Sequence, residues 1–522
     1  MIFRDNPCEK EFDNSLIRDI KKTVMMRYSF ILILLLSCAR HAVCQDIFVE
    51  ASATASTGDY APLWLSSNRQ GLVSPYSSSA YERAGISGVT SLTRHTTDSS
   101  HAIRLAYCAD LQLSQNAQYT FFVHQLYGAL TYRRATLTVG QRERSVDLRN
   151  NRLTSGGLSQ GINAQPIPEV LLSLDYFSVP LTRQWWKICG RIGFGRTTDG
   201  SWQETWLGAP ETHERYTSDI LYHEKAMYWK FGKETSRLPL TFEIGLQMMT
   251  QFGGTTYNAV GRNHDDASVP IHHPENLNAF WHAFWPMGSE DVTDGMHPNS
   301  AGNTFGSYNM ALTYHGGGWK ARAYFERMFE DQSMLTVQYG IYDHLLGFDL
   351  ELPANPYVSH VLIEHLNTKD QAGPVYHDST HNIPESYTGI DNYYNHGLYA
   401  GWQNWGMGMG NPLLTAPIYN QPHILQFRNN RLRALHIGVD GNPTPDISWR
   451  LLATITRNWG TYRQPYDDVL RQQYYLAEAT WAPSFLRGWR ATLAIGLDHG
   501  AVLGDSFGAQ LTLRRTVTLG KN

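Results

Sequence analysis

The feature that most constrains this chain is a two-residue alternation of apolar and polar side chains, recurring from residue 46 almost to the end. Phe507, Ala509, Leu511 and Leu513 alternate with Gly508, Gln510, Thr512 and Arg514. Trp489, Ala491, Leu493, Ile495 and Leu497 repeat the pattern, as do Leu346, Phe348 and Leu350, Tyr308, Met310, Leu312 and Tyr314, and Phe242, Ile244 and Leu246. A period of two is that of a strand with chemically different faces. Eighteen such segments can be delimited: 46–56, 81–92, 101–114, 118–132, 135–142, 168–179, 184–195, 219–231, 238–250, 305–315, 318–328, 345–353, 357–367, 432–440, 446–459, 468–482, 487–499 and 506–518. No comparable run carries an apolar stripe at helical spacing.

The connections sharpen this reading. Every second one, beginning with 93–100, is 2 to 8 residues long, whereas the intervening set includes excursions of 54 and 64 residues. One end of the sheet therefore carries tight turns and the other nearly all the long loops. An even number of strands with that asymmetry is the pattern of an outer-membrane barrel. The expected fold is all-β, a transmembrane antiparallel barrel of about 18 strands with short periplasmic turns and long extracellular loops. Both termini then face the periplasm. One face of each strand is apolar and often ends in an aromatic, as at Tyr308, Tyr314 and Trp489, which suits lipid and its interfacial girdles. The other face carries Glu, Asp, Arg, Gln and Thr, which suits a wet interior.

Composition excludes other classes. The net charge of −4 offers no basic surface for nucleic acid, so no nucleic-acid partner is expected. Charged residues make up only 17%, and after residue 40 no apolar run approaches the ~20 residues of a spanning helix. The first 44 residues read as an address: Lys21, Lys22 and Arg27, an apolar run over 30–36, then Ala42, Val43 and Cys44 before Gln45. Cleavage is expected after Cys44, with translation starting at Met25 or Met26. A lipobox over 35–38 with lipidation of Cys38 is the alternative. The barrel is expected over 45–522, with Cys108 and Cys189 unpaired.

The chemistry-bearing candidates sit in the long loops. Loop 251–304 carries His264, Asp265, Asp266, His272, His273, Glu275, His282, Asp291, Asp294 and His297, but no HExxH, DxDxDG or H-x-H spacing, so neither metal nor cofactor is expected. No GxSxG, P-loop or GxGxxG after a strand appears, and carboxylate pairs in such loops arise by chance, so no catalytic residue is expected. Loop 368–431 is more specific. Its flat rings suit the apolar faces of sugars and its amides, Asp and His suit hydroxyls. The expected carbohydrate-binding residues are Asp391, Tyr393, Tyr394, His396, Tyr399, Trp402, Trp405 and Asn411, with Trp281 and Trp285 of the other long loop as a second candidate.

Several segments are familiar in order and spacing: APLWLSSNRQGL (61–72), GINAQPIP (161–168), FERMFED (325–331), VLIEHLNTKDQAGP (361–374), the aromatic run 391–412 and RNWGTY (457–462). With them the chain resembles the capsule assembly Wzi family of outer-membrane barrel lectins over most of residues 46–518. The resemblance implies an eighteen-stranded barrel that holds capsular polysaccharide or exopolysaccharide at the cell surface, and the family is not known as one of enzymes. It also implies contact with outer-membrane lipid and with capsule export machinery. Well-known members carry a helical periplasmic segment before the first strand, whereas this chain is expected to enter its first strand at about Asp46. A substrate-selective porin for oligosaccharides is the alternative, and the lumen discriminates: loops folded inward argue against conduction and an open path argues for it.

Overall fold

The computed structural model describes residues 44–93, 102–208, 214–259, 266–285, 302–330, 341–355, 357–371, 392–421 and 423–520. The expected leader therefore lies outside the described residues, as do Asp391 and, from the His-rich loop, His264, Asp265, Asp291, Asp294 and His297.

Eighteen strands form one sheet: β1 Cys44–Tyr60, β2 Tyr76–Ser91, β3 Ile103–Gln115, β4 Phe121–Tyr132, β5 Ala135–Gln141, β6 Glu169–Ser178, β7 Trp186–Arg196, β8 Leu221–Gly232 and β9 Leu240–Phe252, followed by β10 Asn303–His315, β11 Lys320–Glu330, β12 His344–Glu351, β13 His360–Asn367, β14 Leu432–Thr444, β15 Ile447–Gly460, β16 Pro465–Trp481, β17 Trp489–Gly500 and β18 Ser506–Gly520. Each pairs antiparallel with the next, and β1 also pairs with β18 from Cys44↔Gly520 to Ser56↔Gly508. That last ladder closes the barrel and leaves no sheet edge for hydrocarbon to meet. It also puts both described ends of the chain at the tight-turn rim.

The two faces separate as the alternation requires. Leu493, Ile495, Leu497, Leu511 and Leu513 point outward and are 41–49% exposed, whereas Gln510 is 3% exposed and its amide donates to Thr54 Oγ1 at 2.8 Å. Trp186 and Phe231 stack at 6.0 Å, Tyr314 meets Trp319 at 5.1 Å, and Trp481 meets Phe485 at 6.0 Å, all at the tight-turn end. These rings form an interfacial girdle. Cys108 and Cys189 are both free.

Among the described residues three short α-helices depart from the all-strand reading: α1 Leu63–Ser66, α2 Gly200–Leu207 and α3 Leu277–Phe284. On β8 the lumen-facing residues are Tyr222, Glu224 and Tyr228, so His223, Lys225 and Met227 point out of the barrel. α3 lies on that outer wall. Phe280 packs on Phe194 and Phe252 at 5.2 and 5.1 Å, and Lys225 Nζ stands 4.7 Å from the Phe284 ring centroid. Trp281 and Trp285 face away from the wall, 57% and 58% exposed. They stand on the lipid side of the barrel and not with the rings of loop 368–431.

Candidate functional site

The lumen is where the sequence reading and the structure part. Three segments from the long-loop end, 61–75, 142–168 and 392–430, fold inward and are bonded to the wall and to one another.

The first descends through α1. Leu63 N–H donates to Asp498 Oδ2 at 2.8 Å, and Trp64, 1% exposed, donates from Nε1 to Thr454 Oγ1 at 3.1 Å. Gly496 on β17 makes this approach possible, because a Cβ there would lie 2.6 Å from Pro62 Cβ. The second segment binds wall carboxylates. Glu326 on β11 accepts from Arg149 Nη2 at 2.5 Å, Leu158 N at 2.8 Å and Ser159 N at 3.1 Å. Glu364 on β13 accepts from Thr154 Oγ1 at 2.6 Å and Ser155 N at 2.7 Å. Arg144 bridges Glu169 and Glu224 at 2.8 and 2.5 Å, and Arg191 on β7 reaches Asp147 at 2.7 Å. Buried charges persist only when compensated: Glu326, Glu169, Glu224 and Asp147 are paired with arginines, and Glu364 accepts from Thr154, Ser155 and Tyr324 Oη. The polar inner face expected to be wet is thus a set of anchors for inserted chain.

The third segment rests on the second. Trp402 donates from Nε1 to Ser159 O at 2.8 Å, Tyr394 Oη donates to Leu158 O, Asn163 Nδ2 donates to Gly408 O at 3.0 Å, and Asn404 Nδ2 donates to Gln165 O at 3.1 Å. Tyr393 Oη donates to Asp343 Oδ2 at 2.9 Å, and Asn411 Nδ2 donates to Gly156 O at 3.1 Å. Tyr393, Tyr394, Tyr399, Trp402 and Asn411 are each at most 2% exposed. The expectation that these side chains stand free for sugar is corrected: they are the interior of a plug. Burial of the rings, with Trp402 and Tyr394 satisfied by carbonyls of the neighbouring segment and Tyr393 by the Asp343 carboxylate, is what fixes the plug in one arrangement.

Trp405 differs. Its ring is half-buried at the rim, edge-on to Tyr119 and Phe122 at 5.7 Å each, with Nε1 donating to Thr198 Oγ1 at 3.3 Å. Its backbone is left-handed, φ 54°, which is costly for an aromatic residue and persists only where the surroundings enforce it. Asp199, buried at the start of α2, does so by accepting from Trp405 N at 3.2 Å and Gln403 Nε2 at 3.0 Å. Burial raises the Asp199 carboxyl above its ordinary range despite these donors and Gln203. Gly406, also left-handed at φ 78°, completes the turn, and a Cβ there would lie 2.4 Å from the Trp202 ring.

Sequence reasoning missed a second flat surface. Residues 216–218, 255–257 and 271–272 form a small sheet apart from the barrel wall, in which Tyr216 and Tyr257 stack at 4.8 Å and 13°. Both rings are half-buried, on the face of the small sheet opposite the Thr217–Thr256 hydroxyl contact at 3.1 Å. The strand-favouring runs Tyr-Thr-Ser (216–218) and Thr-Thr-Tyr (255–257) were its signal. In the same region Thr256 and Thr255 hold His273 and His272 at 2.8 and 3.0 Å, so these two histidines are tied to the loop's own hydroxyls.

His396 sits between plug and sheet. Leu398 N and Tyr399 N both donate to its Nδ1, at 3.0 and 3.3 Å, and Arg215 donates to its carbonyl at 2.9 Å. A proton on Nδ1 would oppose those donors. Burial, followed by the Arg215 and His273 charges, lowers its pKa from 6.5 to about 3. The folded value lies below the unfolded one, so the unfolded chain takes up a proton that the folded chain refuses. Stability is full above pH 6.5 and falls as the pH drops from there towards 3, by at most about 1.4 kcal/mol per unit. Protease cleavage within 392–430 of the purified barrel is expected to rise between pH 7 and pH 4, and less so in His396→Gln. Equal acid sensitivity in both proteins would assign the effect to another group.

No family model matches the chain, and no curated protein matches it in sequence. Solved structures do. The Escherichia coli protein Wzi, described as an outer-membrane protein involved in group 1 capsule assembly and a carbohydrate-binding β-barrel, aligns over 92% of this chain and 86% of its own, with 13% identity and a TM-score of 0.53. The chain has the fold of the Wzi barrel. Pseudomonas aeruginosa OccK5 (OpdH) aligns over 91% of this chain and 98% of its own at 9% identity and TM-score 0.45, and Acinetobacter baumannii OccAB4 over 91% and 98% at 8% and 0.44. The Wzi likeness supports the architecture of an outer-membrane barrel.

Proposed function

We propose that this protein holds capsular polysaccharide, or a related surface glycan, on the extracellular face of its plugged barrel, without catalysis. The observation that carries the reading is the plug itself. Segments that would line an open pore are instead locked by buried ion pairs and amide–carbonyl bonds, leaving a fixed surface at the mouth. The Wzi structure, described as carbohydrate-binding, supports the ligand class.

Trp405 is the proposed sugar platform, held in place by Asp199 and backed by Tyr119 and Phe122. Tyr216 and Tyr257 offer a second. Tyr393, Tyr394, Tyr399, Trp402 and Asn411 support that surface from behind, His396 sets the seam, and Asp391, which lies outside the described residues, remains a proposed polar contact on sequence grounds. Trp281 and Trp285 take no part and are assigned to lipid contact. A polymer meeting several such platforms gains retention by multivalency although each contact is weak. The signal peptide, outer-membrane location and engagement with export machinery follow from the same reading.

In cells producing the glycan, a double substitution Trp405→Ala with Tyr257→Ala is expected to shed polysaccharide into the medium, and either alone to do so less. Full retention by a double variant present at the surface in normal amount would reject these platforms. Steady conductance of the unmodified barrel, blocked by oligosaccharide, would instead support a porin.

A further inference from the structure

The outer wall carries an arrangement that neither the plug nor glycan binding uses. Arg433, Arg457 and Arg471 are direct register partners across β14, β15 and β16. All three point out of the barrel and are exposed. Below Arg433 on the same face lie Leu435 and Ile437, and below Arg457 lie Ile455 and Leu451, each 40–49% exposed. Arg471 stands ten residues above Trp481 of the periplasmic girdle. At ~3.3 Å per residue and a tilt of ~40°, that is about 25 Å, the height of the apolar band. The arginines therefore cap the band at the outer-leaflet interface.

Like charges directly opposite one another destabilise a sheet. Arg433 offsets part of this through Asp370 at 3.6 Å and Asn367 Oδ1 at 3.1 Å. Arg457 and Arg471 have no acidic partner among the described residues. Two unpaired guanidinium groups side by side at the lipid boundary are a geometry suited to phosphate, which accepts paired N–H donors from the planar fork.

We infer that Arg457 and Arg471, flanked by Arg433, bind the phosphorylated headgroup of an outer-leaflet glycolipid whose acyl chains lie on the apolar band beneath. The inference rests on the outer-membrane placement and not on glycan binding at the plug, so the two fail separately.

The test uses the full barrel in nanodiscs containing bis-phosphorylated lipid A, with retained lipid counted by native mass spectrometry after transfer to detergent. Unmodified protein is expected to retain lipid A, and Arg457→Ala with Arg471→Ala to retain about tenfold less, given the strength of charge-assisted pairs. The Lys/Lys variant should retain an intermediate amount. Phosphatase-treated lipid A should be lost from the unmodified protein, a comparison that needs no variant, and millimolar inorganic phosphate should not displace the intact lipid. Equal retention of treated and untreated lipid, equal retention by a folded Ala/Ala barrel, or displacement by free phosphate would each overturn the assignment.

Discussion

Replacing Arg149 with Ala is expected to release the plug. Arg149 is buried and donates to Glu326 Oε2 at 2.5 Å and to Gly156 O at 2.9 Å. Its positive charge, raised further in pKa by Glu326 and Glu364 against the opposing effect of burial, is the counter-ion of a fully buried carboxylate. Removing one partner of such a pair costs ~3–5 kcal/mol, because the other charge stays buried without compensation. Glu326 keeps the Leu158 and Ser159 donors, so the loss should fall on the 142–168 segment and on the 392–430 segment that rests on it. The wall, held by eighteen closed ladders, should persist. In planar bilayers the unmodified barrel is expected to hold a low current and Arg149→Ala to flicker open, with faster protease cleavage of both segments. Arg149→Lys, which keeps the charge but not the planar fork, should lie between them. Unchanged current and protection in Arg149→Ala would mean that the ion pair does not hold the plug.

The second large effect is at the membrane face. Leu511 is 49% exposed on the outer wall beside Leu493, so Leu511→Arg places a charge against hydrocarbon and should cost ~2–4 kcal/mol near the midplane. Its neighbour Gln510 faces inward, where its amide donates to Thr54. Gln510→Met, which keeps the length, loses that one hydrogen bond and introduces no charge, should cost only ~1 kcal/mol. Folded barrel, read from its heat-modifiable migration after refolding into lipid, should fall sharply in the first variant only. Equal losses would place the register of β18 one residue out.

How much of this was legible in the sequence depends on where each residue's environment is set. The outer wall was legible because lipid sorts side chains strand by strand: Leu511 and Gln510 declare their faces locally. The plug was not, because its partners are distant in the chain. Glu326 is satisfied by residues 158 and 159, and Trp402 by Ser159 O, pairings 168, 167 and 243 positions apart. Trp and Tyr with satisfied polar ends look the same in composition whether they face a sugar or a neighbouring carbonyl, so the rings of 393–402 were read as surface. Wall carboxylates such as Glu364 were read as solvated for the same reason. α3 did leave a local trace: Leu277, Phe280, Trp281, Phe284 and Trp285 fall at helical spacing, but the stripe covers only two turns inside a long polar loop. Only the outward side of β8 and β9 shows that one face meets the wall and the other meets lipid.

The central claim, a plugged barrel that retains surface glycan, is tested most directly by binding of purified, reconstituted protein to polysaccharide isolated from the cells that make it, followed as saturable retention on immobilised protein. The account predicts saturable binding by the unmodified barrel and a clear loss in the Trp405→Ala, Tyr257→Ala double variant with its plug still protease-resistant. Absence of saturable binding, or undiminished binding by that variant, would contradict it.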